Sequence, residues 1–576
     1  MTNYDNFYSG TASTFEKEYS DVFPSYTSLK RIGGQTFPQT ANQIEEVNKL
    51  LNQGMKTVEL TTLSPDIFES IPREHFKEIN RLSKLTGNET TLHAPIIDPS
   101  GFTDQGWNPS AREEAERRLK DAVIRSHELN PEGNIPVTIH ASSLPAGEMR
   151  EGEMMVAVNQ ENWNFVGLRK EEREYPGGKE LILPINELGR QNKEHWINST
   201  SDLIYYQTFA DRELAEAHTE LGLKYEDVIL GKLKRDDLRT AEEIQGYDHL
   251  EFAKTYEDRV EDHFKKIYSQ AWKYGDEETR EKLGEIQKEW KKGEGTTNPG
   301  LKSEMLKNSL IKFREIVVTK SPEIYKPVEE FALEHSAKTL GNVAFSSYEK
   351  FKETAPIVSV ENFFPNAAFS RAEQLSNLIR ESRKVFVENA VEKGISKSEA
   401  ERQAEKLIGA TWDVGHLNLL RKGYDEKEAE KKIMEETKRI APFVKHVHIT
   451  DNFGHADTHL PPGMGNVPVK KIMEELEKRG FSGKQIMEAG GFVQHFKVSP
   501  FPYALEAMGT PMYYAHMTPK WSDAQMMYGH YSTGYGATFP EQHFGMYGAG
   551  FSSLPTELGG QTKGAEGRRF SGTPME

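Results

Sequence analysis

The 576-residue chain contains no cysteine. Disulfides, thiolate nucleophiles and Cys-ligated zinc are therefore excluded, and any metal must be held by His, Asp and Glu. Long apolar runs are missing too: nothing approaches the roughly 20 residues of a membrane span, and mean hydropathy is -0.68 with 36% hydrophobic residues. The first ten residues, MTNYDNFYSG, lack a charged segment followed by an apolar one, so no signal peptide is expected and the expected location is the cytoplasm. Positive charge is in deficit, with 72 Lys and Arg against 89 Asp and Glu and a net charge of -17. A field of that sign repels phosphate backbones and disfavours nucleic acid as a partner. The short basic bursts LKRDDLR and KEWKKGEG sit among acids and read as solvated helix faces. GMGNVP follows no strand directly and has the wrong glycine spacing for a dinucleotide fingerprint.

From about residue 30, short β-branched runs alternate with helical stretches. A first strand is expected near Leu29–Gly34, followed by KTVEL (56–60), TTLHAP and PVTIHAS, with helices between them. The rhythm resumes with IVSVEN, ATWDVGH, KHVHITD and KQIMEAGG, again separated by helices. Eight such units argue for an α/β protein, a (β/α)8 TIM barrel with a parallel sheet. Its halves are expected at 30–144 and 341–492. Between them, 145–340 reads as an inserted subdomain after the fourth strand. It has two strands around the turn NQEN, then charged amphipathic helix from about 200 onward. Residues 1–29 form an N-terminal extension, and 493–576 a Gly/Tyr/Met-rich arm, too aromatic for a solubilising linker, that would pack on the barrel or on a second copy of the chain.

Nine residues of metal-ligand type stand mostly at the ends of these strands: His93, His140, Glu361, Asp413, His416, His448, Asp457, His459 and Glu488. The C-terminal ends of the strands are where a parallel α/β barrel gathers its chemistry. Glu361, Asp413, His448 and Glu488 suffice for one divalent ion, zinc or manganese, with room for substrate oxygens. Glu361 and Glu488 can then move protons, one taking and one giving, as enediol chemistry on a sugar requires. His416 is expected to hold a substrate oxygen or a second ion, and Asp451 in HITD to contact substrate. Asp457 and His459, two apart, would point the same way in an extended loop. With His93 and His140 they would complete one or two further sites, the equipment of phosphodiester hydrolysis. His446 reads as barrel core, and His455, His516, His530 and His543 as loop or tail residues.

The motifs LHAP, IHAS, VEN, DVGH, HITD, DTHLPPGMGN and MEAGG resemble the xylose isomerase-like TIM-barrel superfamily, which includes sugar-phosphate isomerases, ketose 3-epimerases and the endonuclease IV family. The isomerase and epimerase branch implies Glu361, Asp413, His448 and Glu488 as ligands, Glu361 and Glu488 as the acid/base pair, and His416 as a substrate contact. The endonuclease IV branch implies all nine residues as ligands of a three-zinc cluster, with Glu361 bridging two ions. DVGHLN and HLPPGMGN are more like the first branch. The expectation is a metal-dependent isomerase or epimerase of a sugar or sugar phosphate. An abasic-DNA phosphodiesterase is the alternative, and a barrel whose insertion and tail serve assembly is a third reading.

Overall fold

The computed structural model describes residues 31–146, 148–149, 153–293, 298–496 and 498–507. The expected extension 1–29, the tail histidines and the arm beyond residue 507 lie outside them. The chain divides into two units, Met1–Ala146 with Glu329–Glu576, and Gly147–Val328.

The first unit is a closed barrel of eight strands. In chain order they are β1 (Ile32–Gln35), β2 (Thr57–Thr61), β3 (Glu89–His93), β4 (Pro136–His140), β5 (Ile357–Glu361), β6 (Ile408–Asp413), β7 (Val444–His448) and β8 (Gln485–Met487). Every neighbouring pair is parallel, and β8 returns to β1 to close the ring. Gly33 permits the β1–β2 approach, since a Cβ there would lie 2.3 Å from the Thr57 carbonyl oxygen.

Alternation along each strand sorts the side chains into two populations. One set (Val58, Leu60, Leu92, Val137, Ile139, Val358, Val360, Trp412 and Val447) is fully or almost fully buried. These residues have the parity that faces the surrounding helices, where Phe76, Leu119, Leu375, Ile379, Phe386, Ile433 and Ile472 are equally buried. Burying each such side chain contributes about 1.5–3 kcal/mol. The opposite parity points into the barrel and is polar: Glu59, Thr91, Thr138, Ser359, Thr411 and His446 form a layer beneath the strand ends, each of them buried. Barrel interiors are ordinarily filled by branched apolar side chains. Here hydrogen bonds replace them. Thr138 and Thr411 hydroxyls lie 3.0 Å apart, Thr411 donates to Ser359 at 2.8 Å, and Thr91 donates to Glu59 at 2.7 Å.

The second unit has its own core. A sheet of Glu148–Met149, Met154–Asn159, Phe165–Arg169 and Tyr325–Pro327 includes the hairpin expected around NQEN. Four long helices follow: Pro184–Leu221, Ala241–Tyr274, Glu277–Gly293 and Pro299–Thr319. Trp196, Val260, Phe264, Leu306 and Phe313 fill the space between them. Three details depart from the sequence reading. A second hairpin joins Glu171–Tyr175 to Gly178–Ile182. Its strands are charged and exposed almost throughout, so no apolar alternation marks them. Tyr325–Pro327 is a strand inside a stretch read as all helix. The helix Val328–Phe351 goes from Glu329 onward with the barrel unit, burying Ala332, Leu340 and Val343, although the insertion was expected to run to 340.

Candidate metal centre

Strand register sets the first contacts. Glu361 lies beside His140 across the β4–β5 pair, and Asp413 beside His448 across β6–β7. Glu361, Asp413, His448 and Glu488 each place one ligand atom within 4.8 Å of all the others. His448 Nδ1 is the hub, 2.6 Å from Glu361 Oε1, 3.3 Å from Glu488 Oε1 and 3.9 Å from Asp413 Oδ2. Two further groups adjoin it. His93 and His140 present Nε2 to Glu361 Oε2 at 3.2 and 3.3 Å. His416 and His459 present Nε2 to Asp457 Oδ2 at 3.3 and 2.6 Å. All nine expected ligand residues thus meet, in three groups, with Glu361 common to two of them.

The donor set fits divalent cations. Three imidazoles have their Nδ1 held by a backbone carbonyl at 2.9 Å: His93 by Ala94, His416 by Asn362 and His459 by Glu488. A carbonyl only accepts, so each Nδ1 carries the proton and each Nε2 is the nitrogen turned to the carboxylates. That is how a ligating histidine is oriented by its surroundings. His448 is reversed, with Nδ1 in the cluster and Nε2 facing Glu59.

Charge in the cluster is balanced by protons. Burial would lower the His93 pKa, but its bond to Glu361 and the nearby Glu488 and Glu59 lift it to about 9. Burial opposes charge on His459 as well, and its bond to Asp457 together with Glu488 raises it to about 9. His448 and His416 are raised well above the usual range against burial, the first chiefly by Glu488 and Glu361, the second by Asp413 and Asp457. His140 goes the other way, to about 3, because burial and its charged imidazole neighbours outweigh Glu361. The two glutamates part company. Burial would raise Glu361, yet His448 and His140 hold it well below its usual value. Glu488 is raised by burial, and its proximity to Glu361 adds to that rise.

Backbone detail fixes the mouth. Asp413 caps the short helix Val414–Asn418, accepting from His416 N at 2.7 Å, and it takes the Thr450 hydroxyl at 3.1 Å. Asn362 bridges β5 and β6 through its amide, bonding Asp413 N at 2.8 Å and Asp413 O at 2.9 Å. A Cβ on Gly415 would fall 2.0 Å from Thr450 Oγ1. Gly415→Ala is therefore expected to destabilise the protein by about 1–3 kcal/mol, measured as a lower thermal midpoint, and to weaken metal uptake by displacing Asp413.

Two expectations change. Asp451 was expected to touch substrate. Its oxygens instead accept Asn452 N and Val467 N at 2.9 Å and Gly463 N at 2.8 Å, so it anchors the Pro-Gly loop that follows His459. Asp457 and His459 do meet, but not through an extended loop: His459 has φ 47, in the left-handed region. His446 is fully buried in the barrel interior, as expected, and His455 lies on the exposed loop. Sequence reasoning missed Glu59, a carboxylate at an inward position of TVEL, and left Asn362 uninterpreted within VEN. Phe363 and Phe364 form the aromatic side of the mouth, with ring centroids 5.1 Å from His140 and 5.4 Å from His416 respectively. Among the described residues the ion pairs of Glu361, Asp413, Asp457 and Glu488 all run to imidazoles, none to Lys or Arg.

Residues 368–495 match the family model described as xylose isomerase-like TIM barrel. The resemblance carried by the motifs of that stretch therefore holds. An uncharacterised protein of Methanocaldococcus jannaschii is 35% identical over 78 residues, 14% of this chain and 24% of that one. Fructoselysine 3-epimerase of Shigella flexneri is 31% identical over 70 residues, 12% of this chain and 24% of the epimerase. The chain thus spans about a quarter of the length of these curated relatives. Among solved structures, a D-tagatose 3-epimerase-like protein aligns over 83% of this chain and 98% of its own, with 12% identity and a TM-score of 0.36. D-psicose 3-epimerase from Clostridium cellulolyticum H10 aligns over 86% and 98%, with 9% identity and a TM-score of 0.35. No helix among the described residues is long and apolar enough to cross a membrane.

Proposed function

We propose that this chain is a divalent-metal-dependent isomerase or epimerase of a sugar or sugar derivative. The observation that carries the reading is the pair Glu361 and Glu488, on one buried cluster with Asp413 and His448 and shifted in opposite directions. Carboxyls whose environments drive them apart are suited to act as base and acid at one pH. Glu361, Asp413, His448 and Glu488 would hold the ion. When bound, a zinc or manganese ion polarises a carbonyl and acidifies the neighbouring C–H. Glu361, ionised, takes that proton from the carbon. Glu488, biased toward its protonated form, returns one to the planar carbon from the other side. His416 is placed to hold a substrate hydroxyl. Phe363 and Phe364 offer apolar rings to the C–H face of a sugar and keep water from the carbanion-like carbon. The 31% identity to fructoselysine 3-epimerase over 70 residues supports the same reading.

The test is deuterium wash-in. Ketohexoses incubated with the Mn2+-loaded protein in D2O should take up deuterium at the carbon next to the carbonyl, and the Glu361→Gln protein should show none. Uptake that persists without Glu361, or fails with every ketose and ketose-amine adduct tried, overturns the proposal.

A second reading rests on one observation, the three adjoining groups, two of which share Glu361. Three ions so disposed would suit phosphodiester hydrolysis. The isomerase reading expects elemental analysis to return about one tightly retained ion per chain. About three retained ions, with cleavage of an abasic-site duplex, would replace it.

A further inference from the structure

Beneath the cluster lies a carboxylate that the reaction above does not use. Glu59 belongs to β2, whereas His446 and His448 belong to β7, and two strands separate these in the ring, so the contact crosses the barrel interior. All three side chains are fully buried. Glu59 Oε2 accepts the Thr91 hydroxyl at 2.7 Å and meets His446 Nε2 at 3.0 Å. Its other oxygen, Oε1, stands 3.1 Å from His448 Nε2. These last two atoms are within ion-pair distance, yet they lack the alignment of a hydrogen bond, and neither has a hydrogen-bond partner.

We infer that Glu59 is a positioning residue for the metal centre: it fixes the tautomer and ring orientation of His448, so that Nδ1 is presented to the ion while Nε2–H is given to Glu59. This rests on the metal-dependent reading of the cluster. The reasoning is geometric. His93, His416 and His459 have Nδ1 pinned by a carbonyl and turn Nε2 inward. His448 turns Nδ1 inward, and the group facing its remaining nitrogen is Glu59. A carboxylate behind a ligating imidazole raises its donor strength and holds its plane. A slight rotation of the ring as Nδ1 engages an ion would bring Nε2–H into line with Oε1, joining the two unpaired atoms. Thr91 and His446 serve to hold Glu59 itself, which explains why polar side chains stand where a barrel usually has Val, Ile or Leu.

The experiment is a competition titration of the full-length protein with Zn2+ against a chelator, on wild type, Glu59→Gln, Glu59→Asp and Thr138→Val. Gln keeps the shape but presents no charged acceptor, and Asp keeps the charge but withdraws it. Both should bind zinc about 10–100-fold more weakly than wild type, the usual cost of removing such a partner. Thr138→Val disturbs the same polar layer away from Glu59 and should bind as wild type does. Thermal unfolding of the metal-free proteins identifies a variant that fails to fold, in which case the other Glu59 substitution decides. If a folded Glu59 variant binds zinc as tightly as wild type, or if Thr138→Val weakens binding equally, the assignment falls. It also falls if Glu59→Gln loses one equivalent outright while the rest bind normally, because Glu59 would then be a ligand of a separate ion with His446 and His448. A wild type that binds no zinc would instead refute the metal-dependent reading itself.

Discussion

Replacing Glu361 with Gln is expected to lower turnover by at least about 10^3-fold, the upper part of the range for removing a positioned acid or base, and to reduce metal retention as well. Glu361 stands among three imidazoles of the cluster. Its carboxylate meets His448 at 2.6 Å, His93 at 3.2 Å and His140 at 3.3 Å, and it has no exposure to solvent. The amide occupies the same volume, so packing of β5 against β4 and β6 is kept. The charge that faces the raised imidazoles of His93 and His448 is lost, however, and an NH2 is turned toward groups that need an acceptor. Steady-state rates in excess Mn2+, set beside elemental analysis of the same sample, separate the two effects. A rate that recovers fully at saturating metal would make Glu361 a ligand only and move the base elsewhere. The Asp451→Asn protein offers a contrast: its carboxylate anchors a loop, so its loss should show in stability before it shows in the chemical step.

How far the sequence carried these conclusions can be judged strand by strand. β-Branched runs ending in a ligand residue located the strands, because period-two alternation places the outward Val, Ile and Leu where the helices cover them. The same alternation put His93, His140, Glu361, Asp413 and His448 on the inward side at the mouth. It was not followed one step deeper. Each of these residues is preceded, two positions back, by a polar inward residue: Thr91, Thr138, Ser359, Thr411 and His446. That repeated polar-x-ligand pattern marks a hydrophilic barrel interior, and it would have drawn notice to Glu59 in TVEL. What no pattern along the chain could give is the meeting of Glu59 with His448. Contacts across a barrel depend on stagger and closure, which join residues hundreds of positions apart. Likewise the division of nine candidate ligands into three groups depends on loop conformation, including the left-handed backbone of His459. The loop-anchoring bonds of Asp451 were not legible either, because a carboxylate near a site and one that caps a loop are the same letter. Only the backbone donors of Gly463 and Val467 distinguish them.

Protons and metal ions should compete for this centre, and the pH dependence should be steep. In the metal-free protein His93 and His459 titrate at about 9, and His448 and His416 are also raised. At neutral pH these imidazoles are charged and hold the carboxylates together. An ion can bind only by displacing those protons. Each one displaced makes affinity rise about tenfold per pH unit until the group's own pKa is passed. Zinc or manganese affinity should therefore climb between pH 6 and about 9, and calorimetry in buffers of different ionisation enthalpy should count at least one proton released per ion. Stability of the metal-free protein should move the opposite way. A group whose pKa is raised by folding contributes most below its unfolded value of 6.5. That contribution is lost as pH rises through about 9, when neutral imidazoles leave the buried carboxylates to repel one another. The thermal midpoint without metal should accordingly fall from pH 6.5 to 9, while that of the loaded protein changes much less because the ion replaces the lost positive charge. Metal affinity that is flat across this range, or a metal-free protein that grows more stable toward pH 9, would mean that the imidazoles are neutral in the folded chain and that the cluster is held together by something other than paired charge.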